Sequence, residues 1–174
     1  SRRQRQMCIR DRDGSVVNNS AVIFTEVDNT KPFTFTAKVQ PEFTETGTYS
    51  AGVIYAYEND THCQKLCFEQ DEYGDHRVVS VRTLGTSDDN NHQAITAPYV
   101  YMRLSSDGTT LGSYFSEDGK IWRMARLYKN DFPEKLLIGI SSQSPKDNEH
   151  TCLFTEVSLT DKPVADFRKG NIAE

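Results

Sequence analysis

The stretch from Tyr99 to Tyr128, YVYMRLSSDGTTLGSYFSEDGKIWRMARLY, constrains the fold more than any other. It holds three short β-type runs separated by Asp107-Gly108 and Asp118-Gly119. Each Asp-Gly pair sets a residue that tolerates positive φ beside one indifferent to it, which tight turns between right-twisted strands require. In the first run Val100, Met102 and Leu104 share one face while Tyr99, Tyr101 and Arg103 share the other. This is the period of a strand and not of a helix. A three-stranded meander follows.

The rest of the chain after Asp13 repeats the pattern. Ala21 to Val27 is a short apolar run, preceded by Val16-Val17 and an Asn18-Asn19 turn. Phe33 to Gln40 alternates, with Phe33, Phe35, Ala37 and Val39 inward and Thr34, Thr36, Lys38 and Gln40 outward. Tyr49 to Tyr57 contains Gly52, the mark of a bulge or a close backbone approach. Cys63 to Glu69 and Arg77 to Thr83 flank a polar loop with Gly74 as its turn residue and read as a hairpin. Lys135 to Gln143 and Thr151 to Leu159 complete the series. No stretch has convincing helical periodicity, so about ten or eleven strands pair among themselves. An all-β fold, a two-sheet antiparallel β-sandwich, is the economical solution. Its 174 residues suffice for one domain with a real core, since a chain this long buries roughly 70% of its unfolded surface.

Charge and cysteine usage narrow the function. Residues 1–12 carry five arginines against Asp11, a local charge of +4 in a chain of net −5, leaving −9 on residues 13–174. The basic segment resembles the translation of a sequencing adapter and is read as a non-native leader that includes Cys8, with residues 13–174 as a single domain. The acidic body repels phosphate backbones, so nucleic acid is not an expected partner. No apolar run has the length of a membrane span. Four cysteines are too few and too unevenly spaced for a disulfide scaffold, the two short Asn-X-Ser/Thr sequons carry little weight, and the chain is read as cytoplasmic. No cofactor motif is present and no cofactor is expected.

Five blocks in order, KLCFEQ (65–70), VVSVRT with SDDNN (78–83, 87–91), YMRLSSDG (101–108), YFSEDGKIWRMARLY (114–128) and IGISSQSP (138–145), resemble domain-of-unknown-function family 1349, which includes the fungal regulator-of-enolase protein. The resemblance runs from about Asp13 to Asn171. It implies a concanavalin A-like jelly roll, similar to the β-sandwich appended to some β-xylosidases, and implies little about function.

Parity offers the candidate site. With Leu66 and Phe68 in the core, Lys65, Cys67 and Glu69 point the other way, and Ser80 and Arg82, Tyr101 and Arg103, Ser141 and Gln143 are assigned to the same non-core side. In a jelly roll that side is often concave. Long polar side chains gathered mid-sheet suit a carbohydrate, sugar phosphate or other anion, so Lys65, Glu69, Arg82, Tyr101, Arg103 and Gln143 are the expected ligand-binding residues. The alternative is a cross-strand ion-pair ladder of Lys65, Glu69, Arg82 and Arg103.

Other motifs fare worse. Glu69, Asp71 and Glu72 do not reproduce the same-face carboxylate pair of a glycosidase, Asp71 and Glu72 reading as a solvated turn. No catalytic residues are assigned and the chain is not expected to be an enzyme, unless Glu69 and Asp88 face each other across a cleft. Trp122, beside a turn resembling the Asp-box, reads as core. Cys63 and Cys67 are about 13 Å apart on an extended strand and cannot share zinc or a disulfide, so they read as buried thiols, and no metal ligands are assigned. Ser87 to Asn91 reads as a polar loop with oxygen ligands suited to calcium. His76 and His92 read as lone loop histidines. The leading expectation is a non-catalytic ligand-binding sandwich; a module that docks a protein partner, a metabolic enzyme, is the runner-up.

Overall fold

The computed structural model describes residues 3–4, 20–146 and 149–172. Val16-Val17, the Asn18-Asn19 turn, Cys8 and most of the basic leader lie outside them. The described residues form twelve strands: β1 (Arg3–Gln4), β2 (Ala21–Asp28), β3 (Phe33–Pro41), β4 (Ala51–Asn59), β5 (His62–Gln70), β6 (His76–Leu84), β7 (Thr86–Ala94), β8 (Val100–Ser106), β9 (Thr110–Ser116), β10 (Arg123–Lys129), β11 (Lys135–Gln143) and β12 (Cys152–Thr160). They form a seven-stranded sheet in the order β1-β2-β11-β4-β5-β6-β7 and a five-stranded sheet in the order β10-β9-β8-β3-β12. Every pairing is antiparallel. The fold is the expected all-β jelly-roll sandwich. Among the described residues no helix is long and apolar enough to cross a membrane.

The meander is β8, β9 and β10, and its turns are built as their sequences require. Gly108 and Gly119 take φ of 91° and 73°. Asp107 Oδ1 accepts the backbone N–H of Thr109 and Thr110 at 2.9 and 2.7 Å, and Asp118 Oδ1 accepts those of Lys120 and Ile121 at 2.8 Å each. The carboxylates thus cap the turns that the glycines permit.

Between the sheets, Phe33, Phe35, Ala37 and Val39 of β3 and Val100, Met102 and Leu104 of β8 meet Ile54, Leu66, Phe68, Val78 and Ile138 from the larger sheet. Each large side chain buried here contributes about 1.5–3 kcal/mol. Gly52 marks a close approach: a Cβ there would lie 2.3 Å from Cys152 Sγ and 2.4 Å from Val39 Cγ1.

A second apolar cluster, Val22, Ala51, Val53, Tyr55, Cys67, Val79 and Val81, occupies the other face of the seven-stranded sheet. Apolar side chains on both faces are what misdirect a parity argument for β6. Val78, Ser80 and Arg82 face the five-stranded sheet, while Val79 and Val81 face outward, because Leu66 pairs with Ser80 and Gln64 with Arg82.

Residues 161–172 lie on the outer face of the five-stranded sheet. Thr34 Oγ1 donates to Lys162 O at 2.6 Å, Val164 N to Ser105 Oγ at 2.9 Å, Tyr114 Oη to Phe167 O at 2.8 Å and Arg103 Nη1 to Gly170 O at 2.5 Å.

Candidate functional site

The six expected site residues do not share one surface. They divide into three groups, of which one forms a polar constellation on the predicted kind of face.

Lys65, Glu69 and Gln143 stand on the outer face of the seven-stranded sheet. Lys65 and Glu69 project from β5 and Gln143 from β11, with β4 between them. The intervening β4 side chains at this end are Ala51 and Val53, short enough for the long ones to meet above them. Lys65 Nζ donates to Gln143 Oε1 at 3.4 Å, and Gln143 Nε2 donates to Glu69 Oε2 at 3.2 Å and to Tyr49 O at 3.4 Å. Gln143 therefore joins a cation to a carboxylate that sit four residues apart on one strand.

This relay is nearly shut off from water, Lys65 and Gln143 each being 1% exposed. Burial raises the Glu69 carboxyl to about 7 against the pull of Lys65, and pushes the Cys67 thiol between them up to about 12, which makes that sulfur unreactive. Among the described residues no carboxylate lies within ion-pair distance of Lys65, whose hydrogen bond is to a neutral amide. Beside it, opposite in the β4–β5 register, Tyr55 is 1% exposed and its hydroxyl has no hydrogen-bond partner. Tyr55 was not among the expected residues. The signal that finds it is the parity of AGVIYAY once β4 is paired with β5 so that Tyr55 meets Lys65. Phe24 packs edge-on against Tyr55 at 6.0 Å and stacks on Tyr57 at 5.2 Å, so an aromatic wall flanks the lysine.

Arg82 is on the opposite side of this sheet, facing the gap between the sheets. Its Nη2 pairs with Asp131 at 2.5 Å and its guanidinium lies 4.1 Å from the Tyr128 ring centroid.

Tyr101 and Arg103 belong to the five-stranded sheet, on its outer face. Tyr101 donates to Glu156 Oε1 at 3.2 Å. Arg103, 5% exposed, donates to Thr36 Oγ1 at 3.0 Å and to the carbonyl of Gly170, and its guanidinium lies 3.6 Å from the Trp122 ring. Arg103 anchors the C-terminal segment, and Trp122, half-buried over it, is not core. The ladder of Lys65, Glu69, Arg82 and Arg103 is not formed, because these residues occupy three different faces.

Several smaller expectations are corrected by the fold. Asp71 is buried, not solvated: it accepts the N–H of Tyr73 and Asp75 at 2.9 Å each and pairs with Arg77 at 2.6 Å. Ser87 to Asn91 is extended in β7, so its successive side chains diverge to opposite faces instead of converging as in a calcium loop. His76 and His92 are strand residues, His76 stacked 3.8 Å from Phe43 and His92 bonded to Ser80 Oγ at 3.1 Å. Cys63 is disulfide-bonded rather than a thiol, whereas Cys67 and Cys152 are free. Among the described residues no three His, Cys, Asp or Glu side chains are grouped to hold a metal ion. Glu69 and Asp88 lie on opposite faces of their sheet, so they do not face each other across a cleft.

Solved structures place this fold among known sandwiches. A functionally unknown protein from Saccharomyces cerevisiae is similar with a TM-score of 0.79 at 23% identity, over 91% of this chain and 83% of that one. A xylan β-1,4-xylosidase from Bacillus halodurans gives 0.61 at 14% identity, over 74% of this chain but 27% of the enzyme. The carbohydrate binding module CBM66 from Bacillus subtilis gives 0.53 at 10% identity, over 80% of this chain and 81% of the module. At these identities the likeness is one of fold. No curated protein matches the chain. The sequence profile of one family spans residues 9–162, nearly the whole domain, and the chain therefore belongs to the family described as Protein of unknown function (DUF1349).

Proposed function

We propose that this chain is a non-catalytic binding module that takes a small carbohydrate-like ligand on the outer face of its seven-stranded sheet, through Lys65, Gln143, Glu69 and Tyr55. The observation that carries this reading is an under-satisfied polar row in a water-poor place: a lysine bonded to a neutral amide beside a tyrosine hydroxyl with no partner. Burying such groups costs free energy that folding does not recover, about 1–3 kcal/mol for an unsatisfied hydroxyl and more for a cation. Ligand oxygens supply what is missing, accepting from Lys65 and Tyr55 while ligand hydroxyls donate to Glu69. The Phe24 and Tyr57 rings offer apolar surface of the kind a sugar ring packs against, and the ligand enters beside Glu69, the most exposed of the four polar residues. The similar fold of a carbohydrate binding module supports the class of ligand.

The test is a thermal-shift screen with xylobiose, glucose and glucose 6-phosphate, repeated on Lys65→Met. Ligand at a hundred times its Kd stabilises the fold by about 2.7 kcal/mol, a shift of several degrees. A shift lost in Lys65→Met supports the reading, and a shift equal in both proteins contradicts it.

A second reading, docking of a protein partner, is favoured by one observation. β12 is an edge strand among the described residues, and its Leu153, Val157 and Leu159 are 54%, 49% and 43% exposed. A free strand edge with apolar side chains is a template for pairing with another chain. Loss of binding to a candidate enzyme on Val157→Lys, with the sugar response intact, would select this reading.

A further inference from the structure

We infer that the cleft between β6, β7 and β10 is a second ligand site, distinct from the outer face, built for a small hydroxylated carboxylate of the hexuronate kind. The cleft has a volume of about 460 Å³ and is lined by Arg82, Asp88, Asp89, Asn90, Arg126 and Tyr128. That size is within the range of small-molecule sites.

Its two arginines play different parts. Arg126 is fully engaged in tying β10 of one sheet to β6 and β7 of the other: Nε donates to Ser80 Oγ at 3.0 Å, and Nη2 donates to Asp88 O and Oδ1 at 2.8 and 2.9 Å. Arg82 is not. Its Nη2 pairs with Asp131, but its Nε is buried without a hydrogen-bond partner. Gln64 stands opposite Arg82 in the β5–β6 register and is 0% exposed. Its Oε1 accepts the Tyr128 hydroxyl, and its Nε2 has no partner. Facing residues of the β5–β6 register thus each carry an N–H donor without a partner, which is costly in a buried setting.

The deficit specifies the ligand. Both orphans are donors, so the group that completes them is an acceptor, and a carboxylate offers two oxygens to two donors. A phosphate dianion is disfavoured by the carboxylates of Asp131 and Asp88, which already pair with Arg82 and Arg126. The exposed Asn90, which shares the inner face of β7 with Asp88, is placed to bond a hydroxyl, which makes the ligand a hydroxylated acid instead of a simple fatty or aromatic one. Tyr128 touches both orphan-bearing residues and lines the cleft, so its side chain must turn aside for the carboxylate to reach them.

The test is isothermal titration of the full chain with glucuronate, galacturonate, their methyl esters, and glucose. In Lys65→Met, whose outer face is disabled, the acids bind, while the esters and glucose bind at least about tenfold more weakly. Arg82→Gln weakens the acids by about tenfold or more, and Asn90→Ala, at an exposed position that leaves the fold intact, weakens them severalfold. Lys65→Met leaves acid binding unchanged, which separates this site from the outer face and lets either proposal fail alone. The inference is overturned if neither acid binds at millimolar concentration, if the esters bind Lys65→Met as well as the acids do, or if acid binding to Lys65→Met survives both cleft substitutions.

Discussion

Replacing Glu69 by glutamine tests the electrostatics of the outer face through stability alone. Burial lifts its carboxyl from 4.5 to about 7, with Lys65 opposing and Asp89, Asp71 and Glu72 adding to the rise. In the unfolded chain the group titrates near its ordinary value. Between those two pH values the folded state therefore holds a proton that the unfolded state has released, and stability falls as pH rises. The contribution is fully present below pH 4.5 and gone above about pH 7. At about 1.4 kcal/mol per pH unit the loss across this window amounts to about 3 kcal/mol. The carboxylates held low, such as Asp71, Asp88 and Asp131, lose their stabilisation only as pH falls below the ordinary carboxylate range, beneath this window. His76 and His92, pushed down by burial, gain stability as pH rises toward 6.5 and partly mask Glu69 in the parent protein. The difference between parent and Glu69→Gln removes them. Urea denaturation near pH 5 and near pH 8 should show the parent losing about 3 kcal/mol relative to Glu69→Gln. Parallel pH profiles would refute the claim that this carboxyl is buried and raised.

Three further outcomes follow from the packing. Gly52→Ala drives a methyl to within 2.3 Å of Cys152 Sγ and 2.4 Å of Val39 Cγ1, and should cost about 1–3 kcal/mol or more in urea denaturation; a neutral effect would mean the sheets are not in contact there. Arg103→Met removes the charged bonds to Thr36 and Gly170, should cost about 1.5–3 kcal/mol, and should speed amide exchange in residues 162–170 while shifting the emission of Trp122, the single tryptophan. Unchanged exchange would show that the C-terminal segment is held by something else. Asp71→Ala strips the partners of two backbone N–H groups and of Arg77 and should lower stability by about 2–3 kcal/mol; a change below about 0.5 kcal/mol, typical of a solvated turn, would contradict its buried role.

The fold was legible because local chemistry and global architecture agree where it matters. The Asp107-Gly108 and Asp118-Gly119 turns and the clean alternation of Phe33 to Gln40 each have one reading, and the structure realises it. β7 was missed because TSDDNNHQA is an edge strand whose exposed side chains carry no apolar period. The site was legible on β5, where Leu66 and Phe68 fix the inward parity, and at Gln143. It was not legible on β6, because Val79 and Val81 are as apolar as a core strand yet face outward. Nor does period two say which sheet a strand joins, so Tyr101 and Arg103, correctly assigned as outward, were grouped with residues on the far side of the sandwich. Pairing, not parity, decides which polar side chains meet, and pairing is a long-range property that a single strand's sequence does not carry.

The most direct test of the outer face as the binding face uses the valine and leucine methyls, because they divide by side. Val53, Val79 and Val81 sit on the outer face of the seven-stranded sheet, whereas Val39, Val100, Leu104 and Leu111 lie between the sheets. Methyl-labelled protein titrated with xylobiose and with glucose 6-phosphate should show resonance shifts at Val53, Val79 and Val81 and none at the four inner residues. Shifts confined to Leu153, Val157 and Leu159, or no shift with either sugar, would contradict the account.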